Sequence, residues 1–234
     1  MRLLKEICAG IDRPLFILSD GSVLSRSHLL DASRRADVRF WCEDFRNVRI
    51  GICCQDNGLV AILLLLLDGL AARLILLPSE APAKLVANLA AGSGAQLIVS
   101  DRSDAEEFGI PLASLPPSIA ETSFASSSHI EAAEDVQTEW ILPTSGTTRT
   151  PKLVVHSVET LSRTVKRDLA KGSVFRWGLL YNLSRFAGLQ VYLQAILGGA
   201  SLVIPAVASA LEESITLFAN TGCNALSPTR ACGR

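Results

Sequence analysis

The run Val48–Pro78, VRIGICCQDNGLVAILLLLLDGLAARLILLP, leaves few folds open to this chain. Val48–Cys54 and Arg73–Pro78 are apolar on both faces. Strands of that kind need cover on each side, as inner strands of a parallel sheet have. Between them, a stretch capped by Asp56 or Asn57 is apolar almost throughout and stops at Asp68-Gly69. We read a buried helix, then a turn, then a buried strand. Asp68 and Arg73 would each be costly in hydrocarbon, so Leu59–Pro78 is not read as a membrane span. Pro82 opens the next helix, which runs to about Ala91 with Gly92 and Gly94 to close it. Ala95–Asp101, AQLIVSD, is a third strand. Strand, helix, strand, helix, strand is the rhythm of an open α/β sheet. The expected fold class is α/β, with mostly parallel sheets flanked by helices.

The flanking segments extend that rhythm. Phe16–Leu24, FILSDGSVL, places Asp-Gly between two short apolar runs and predicts a hairpin. Ser25 can then cap a helix to about Asp37. Glu121–Glu139 is rich in Ser, Ala and acids and reads as a connector. The expected organisation is a first α/β subdomain over 1–120, a connector over 121–139 and a second subdomain over 140–234. In the second, EWILPT is a short strand, a Thr/Ser-rich loop follows, and LVVHS is another strand. Ser157 caps a helix to about Lys171, with Glu159 in its first turn. Val158, Leu161, Val165 and Leu169 line one face of it, and Arg163, Lys166, Arg167 and Lys171 lie mostly off that face. WGLLYN is a short strand or turn. Phe186–Leu197 is a mostly buried helix with one polar stripe, Gln190 and Gln194, closed by Gly198-Gly199. ASLVIP is a strand, Ala208–Thr221 a helix, and CNALS the start of a further strand.

Bulk composition excludes some functions. The chain has 234 residues, 49% of them hydrophobic, enough for a substantial core. Its 22 basic and 23 acidic residues give a net charge of -1, without the basic footprint of a general nucleic-acid binder. The six cysteines include no CxxC pair and none at metal-ligand spacing from a histidine. Cys53 and Cys54 fall in an apolar run, and the pattern fits reduced thiols in a cytoplasmic protein. No signal peptide is visible in MRLLKEICAGIDRP.

The densest chemistry is Thr144–Lys152, TSGTTRTPK. A loop after a buried strand is where an open α/β sheet binds ligands. This one offers hydroxyls on Thr144, Ser145, Thr147 and Thr148, a close approach at Gly146, and a compact cation on Lys152. Gly146 and Lys152 have the Walker A spacing. However, Pro151 replaces its second glycine and has no N–H, and Leu153 replaces the magnesium-binding Ser/Thr, so a P-loop NTPase is rejected. A plain Ser/Thr-rich turn with a surface lysine has the same composition. His156, at the end of a strand, reads as a core or helix-start residue. His28 lies on a polar helix face and His129 in the connector.

TSGTTRTPKLVVHS resembles the phosphate-binding signature of the adenylate-forming superfamily, which includes acyl-CoA synthetases, nonribosomal peptide adenylation domains and luciferases. Thr144, Ser145, Gly146, Thr147, Thr148, Pro151 and Lys152 match its pattern in order. The hairpin–helix at the start, the block from Gly51 to Pro78, AQLIVSD and FAGLQVYLQAILGGASLVIP resemble segments of that family in the same order. The resemblance implies the N-terminal subdomains of an AMP-forming acid–thiol ligase. A carboxylic acid would attack ATP, giving an acyl-adenylate, and a thiol of coenzyme A or a carrier protein would then take the acyl group. It further implies that Thr144, Ser145, Gly146, Thr147, Thr148 and Lys152 hold the β- and γ-phosphates. Lys152 would offset charge, and Thr144 would help to place Mg2+. Phe186 and Gly188 lie where the family shapes its acyl pocket.

Two departures qualify the expectation. Arg149 stands where the family has a glycine, which takes positive φ freely and brings no side chain near the phosphates. The family also continues beyond the segment that this chain matches, with adenine- and ribose-binding segments, a magnesium-binding acid and a mobile C-terminal domain carrying a catalytic lysine. The expectation is a truncated N-terminal portion, weakly active or inactive alone. The competing reading is a non-catalytic nucleotide-binding or protein-interaction module, which would bind nucleotide or a partner ligase through an exposed sheet edge; self-association through that edge is a further expectation.

Overall fold

A computed structural model of the chain describes residues 2–8, 12–116, 136–144, 151–206 and 209–227. Two five-stranded sheets organise these residues. The strands are β1 (Pro14–Leu18), β2 (Val23–Ser25), β3 (Arg49–Ile52), β4 (Arg73–Leu76), β5 (Leu97–Val99), β6 (Glu139–Thr144), β7 (Lys152–His156), β8 (Arg176–Gly178), β9 (Ser201–Ile204) and β10 (Ala225–Leu226). One sheet has the order β10-β8-β9-β1-β2 and the other β5-β3-β4-β6-β7. In each, one edge strand, β2 or β7, is antiparallel and the remaining pairings are parallel. The expected mostly parallel α/β architecture is therefore present. Each sheet takes strands from both sides of residues 121–139.

The apolar run that opened the sequence reading folds as expected. Asp56 caps α4 (Asn57–Leu67) by accepting the Gly58 N–H, and Gly69 turns the chain at φ +84° into β4. Helix α4 is buried on nearly every side because the main core lies between the sheets. That core joins Leu15, Phe16 and Leu202 of one sheet to Ile50, Leu74 and Trp140 of the other. A helix with no polar face needs such a two-sided setting. Helix α8 (Phe186–Gly198) shares it, and the Tyr192 hydroxyl donates to Ala61 O of α4 at 2.9 Å. Helix α5 (Ala83–Ser93) covers the outer face of the second sheet, and Phe218 of α9 (Leu211–Asn220) packs on the outer face of the first. No described helix is long and apolar enough to cross a membrane.

Two helices are shorter than the sequence suggests. Helix α2 (Arg26–Arg34), capped by Ser25, stops at Arg35, whose backbone is extended, and α3 (Ala36–Glu43) starts afresh. The break turns Val38 and Trp41 onto the core side, where both are buried. The expected helix from Ser157 to Lys171 is instead two single turns, α6 (Val158–Leu161) and α7 (Leu169–Gly172). The polar stripe of α8 accounts for this. Gln190 donates to Leu161 O at 2.8 Å, and Gln194 accepts the Lys166 N–H at 3.3 Å, so these side chains take backbone groups that a continuous helix would use. Asp168 then caps α7 through the Lys171 N–H. The N-terminal helix α1 (Arg2–Cys8) is tied to the same segment by the Arg2–Glu159 and Arg167–Glu6 ion pairs.

Candidate functional site

The hydroxyl-rich loop joins β6 to β7. These strands are antiparallel, with Thr144 opposite Lys152 and Trp140 opposite His156. β6 runs parallel to β4, so the loop leaves the sheet at the carboxyl ends of its parallel strands, where α/β sheets bind ligands. The Thr144 hydroxyl donates to Lys152 O at 3.2 Å and closes the base of the hairpin. Both residues are exposed, and Lys152 makes no ion pair with any described residue. Its ammonium is thus available to an anion. Ser145, Gly146, Thr147, Thr148 and Arg149 lie outside the described residues.

Phe186 is the first residue of α8 and is 55% exposed. Its ring lies 6.2 Å from that of His156, centroid to centroid. His156 is four residues from Lys152, or about 13 Å along β7. The fold therefore brings Phe186 beside the hairpin strand, but at its end away from the loop. Gly188 is buried. A Cβ there would overlap Asn182 O and come within 2.6 Å of Tyr181 O, so this glycine lets the Tyr181–Asn182 backbone sit directly on α8. His28 is exposed on α2, and its backbone N–H donates to the Ser25 hydroxyl in the helix cap. His129 lies outside the described residues.

A further set of residues went unread in the sequence. A cavity of 310 Å³ is bordered by Gln55 and Asn57 after β3, Ser79 and Glu80 after β4, Asn182 after β8 and Ser209 after β9. It lies where the carboxyl ends of both sheets meet. Its walls are braced. Asp101 accepts the Gln55 and Asp56 N–H groups at 2.7 and 2.9 Å. Asn57 accepts the Leu183 N–H at 2.9 Å, and Asn182 donates to the Ser79 hydroxyl at 2.8 Å. Arg102 donates to Ser79 O and Ala81 O, and its guanidinium holds the half-buried Asp104 carboxyl below the usual carboxylate range. Arg185 pairs with Glu80 at 2.9 Å on the rim. The available signal was positional: each of these six residues follows a parallel strand by no more than five positions.

The buried thiols are unsuited to nucleophilic chemistry. Burial pushes the Cys53 thiol up to about 11 and Cys54 higher still, and both sit in the core as expected. Among the described residues no group of three or more His, Cys, Asp or Glu side chains could hold a metal ion.

Several solved structures have a fold similar to this one. The o-succinylbenzoate coenzyme A synthetase (MenE) of Bacillus subtilis in complex with AMP superposes with a TM-score of 0.77 over 97% of this chain, at 17% identity. The Klebsiella oxytoca NpsA N-terminal subdomain bound to 3-hydroxyanthranilyl-AMSN gives 0.78 over 96%, at 18% identity. The Bacillus subtilis synthetase with ATP and magnesium gives 0.76 over 96%, at 14% identity. The chain has the fold of the N-terminal portion of the adenylate-forming enzymes. It spans 61%, 58% and 62% of those three chains, respectively. No family model and no curated protein matches it.

Proposed function

We propose that the chain supplies the phosphate-holding part of an ATP-dependent carboxylate-adenylating ligase. The observation that carries this reading is the facing pair Thr144 and Lys152 at the base of a hydroxyl-rich hairpin loop, at the carboxyl end of a parallel sheet. The loop hydroxyls of Ser145, Thr147 and Thr148 and the backbone at Gly146 would donate to the β- and γ-phosphates of ATP. Lys152 would offset their charge as a point cation, and the Thr144 hydroxyl would help to place Mg2+. A carboxylate oxygen attacks the α-phosphorus, the bond to the bridging oxygen breaks, and pyrophosphate leaves with the displaced electron pair. The protein's part in that step is electrostatic positioning. Phe186 would border the acyl group, with Gly188 setting how closely the Tyr181–Asn182 backbone approaches. Coenzyme A or a carrier-protein thiol would take the acyl group in the second step.

The test is ATP affinity and carboxylate-dependent pyrophosphate exchange, measured with the chain alone and with the C-terminal part of such a ligase added. Lys152→Gln removes one charge-assisted contact, worth about 1.5–3 kcal/mol, and should weaken ATP binding at least tenfold. Equal ATP dissociation constants for wild type and Lys152→Gln would sink the assignment of the loop.

A further inference from the structure

A second cavity, of 610 Å³, opens between α1, the start of α2, α7 and the C-terminal end of α8. That volume falls within the roughly 300–1,000 Å³ of small-molecule sites. Helix α8 has 13 residues, so at about 1.5 Å each this end lies about 20 Å from Phe186. Arg13, Arg26 and Arg167 border the cavity, and Glu6 is the acid among its described lining residues. Arg26 is only 5% exposed. Its guanidinium donates to Arg13 O at 3.5 Å and to Ala200 O at 3.4 Å, just past α8, where the helix dipole favours a cation. Arg167 pairs with Glu6 and donates to the Ser162 hydroxyl at 3.0 Å. Ile7 and Ile196 give buried apolar walls, and Leu169 stands at the rim, 52% exposed. The α7 wall is fixed against α8, because a Cβ on Gly172 would overlap Gly198 O and one on Gly199 would come within 3.0 Å of the Leu169 Cα.

We propose that this cavity binds an organic anion: a carboxylate or phosphate monoester on a hydrocarbon body. Among the described lining residues, three guanidinium groups stand against one carboxylate. A guanidinium donates two parallel N–H bonds to an oxyanion, which a neutral headgroup cannot match. The apolar wall gives a hydrocarbon body what an inorganic ion cannot use. The site stands apart from the hairpin and does not depend on the adenylation reading.

Calorimetric titration of the 234-residue chain with octanoate, octyl phosphate, 1-octanol and inorganic phosphate tests the proposal. Octanoate, octyl phosphate or both should bind at least tenfold more tightly than 1-octanol and inorganic phosphate, and the tighter of the two identifies the headgroup. Arg167→Gln and Arg13→Gln, each checked for wild-type circular dichroism, should weaken that binding about tenfold. Glu6→Gln frees Arg167 from its competitor and should tighten it about two- to fivefold. Phe186→Ala should leave it unchanged, which separates this site from an acyl pocket beside the hairpin. The proposal is overturned if neither amphiphile binds, if 1-octanol binds as tightly, or if affinity follows Phe186 and ignores both arginine variants.

Discussion

Asp68 is 2% exposed yet carries a carboxyl group that accepts the Trp140 indole N–H at 2.9 Å and the Leu3 N–H at 3.2 Å. Burial raises its pKa above the ordinary value and outweighs the opposing pull of those two donors and of Arg2. The folded state therefore keeps this proton to higher pH than the unfolded chain, where an aspartate titrates near about 3.9. The group's stability contribution is whole below that value and is lost as pH rises through the raised native value. Asp68→Asn carries no charge, but it leaves one N–H without its acceptor, at about 1–3 kcal/mol. The variant's urea midpoint should lie below wild type at pH 4, with the gap narrowing by pH 7; a gap that widens would remove the argument. A second residue-scale expectation concerns Arg149, which stands in the loop where the resembling family has glycine. On the proposed function, Arg149→Gly restores freedom to adopt positive φ and takes a bulky cation out of the loop. It should raise ATP affinity, and equal dissociation constants for the two proteins would refute this.

At the scale of elements, glycine positions separate packing from propensity. Gly188 and Gly92 both lie inside helices, α8 and α5. A Cβ at Gly188 meets backbone oxygens of Asn182 and Tyr181, which cannot rotate away, whereas at Gly92 the nearest atom is Leu153 Cδ1 at 4.0 Å. Gly188→Ala should destabilise by about 1–3 kcal/mol through overpacking. Gly92→Ala should stabilise by about 0.5–1 kcal/mol through helix propensity. Thermal unfolding of the two variants checks both signs. Elements specified by neighbouring residues were legible in the sequence. The Ser25 and Asp56 caps, the Gly69 turn, the Gly94 helix end at φ +72° and the β1–β2 hairpin all rest on residues close to the feature that they make. The break between α6 and α7 was not legible, because Gln190 and Gln194, which hold it open, lie more than 25 positions downstream. The site divides the same way. The hydroxyl-rich segment proposed to hold phosphate is contiguous from Thr144 to Lys152, so the proposal can be made from the sequence directly. Asn57, Ser79, Asn182 and Ser209 are distant in sequence and meet only because parallel strands end together.

For the whole molecule, the interleaving of strands decides how it unfolds. β1 pairs with β9 across most of the chain's length, with Phe16 opposite Leu202, and β4 pairs with β6 across the connector, with Leu74 opposite Trp140. The main core cluster contains residues of both sheets, and α4 and α8 lie between them, joined by the Tyr192–Ala61 hydrogen bond. Removing either stretch takes inner strands out of both sheets and exposes a core face of each. The two stretches then have no separate cores to fold around, and the described residues should unfold in one transition. Trp177 reports on the first sheet and Trp140 on the second. Variants keeping Trp177 alone (Trp41→Phe with Trp140→Phe) or Trp140 alone (Trp41→Phe with Trp177→Phe) should each give a urea fluorescence midpoint equal to that of their own far-ultraviolet circular dichroism. The polypeptide 1–120 by itself should show no cooperative transition, since it keeps β3, β4 and β5 but lacks β6 and β9, the partners of β4 and β1. A cooperative transition in that polypeptide, or separate midpoints for the two tryptophans, would mean that each sheet holds together without the strands supplied from the other side of the connector.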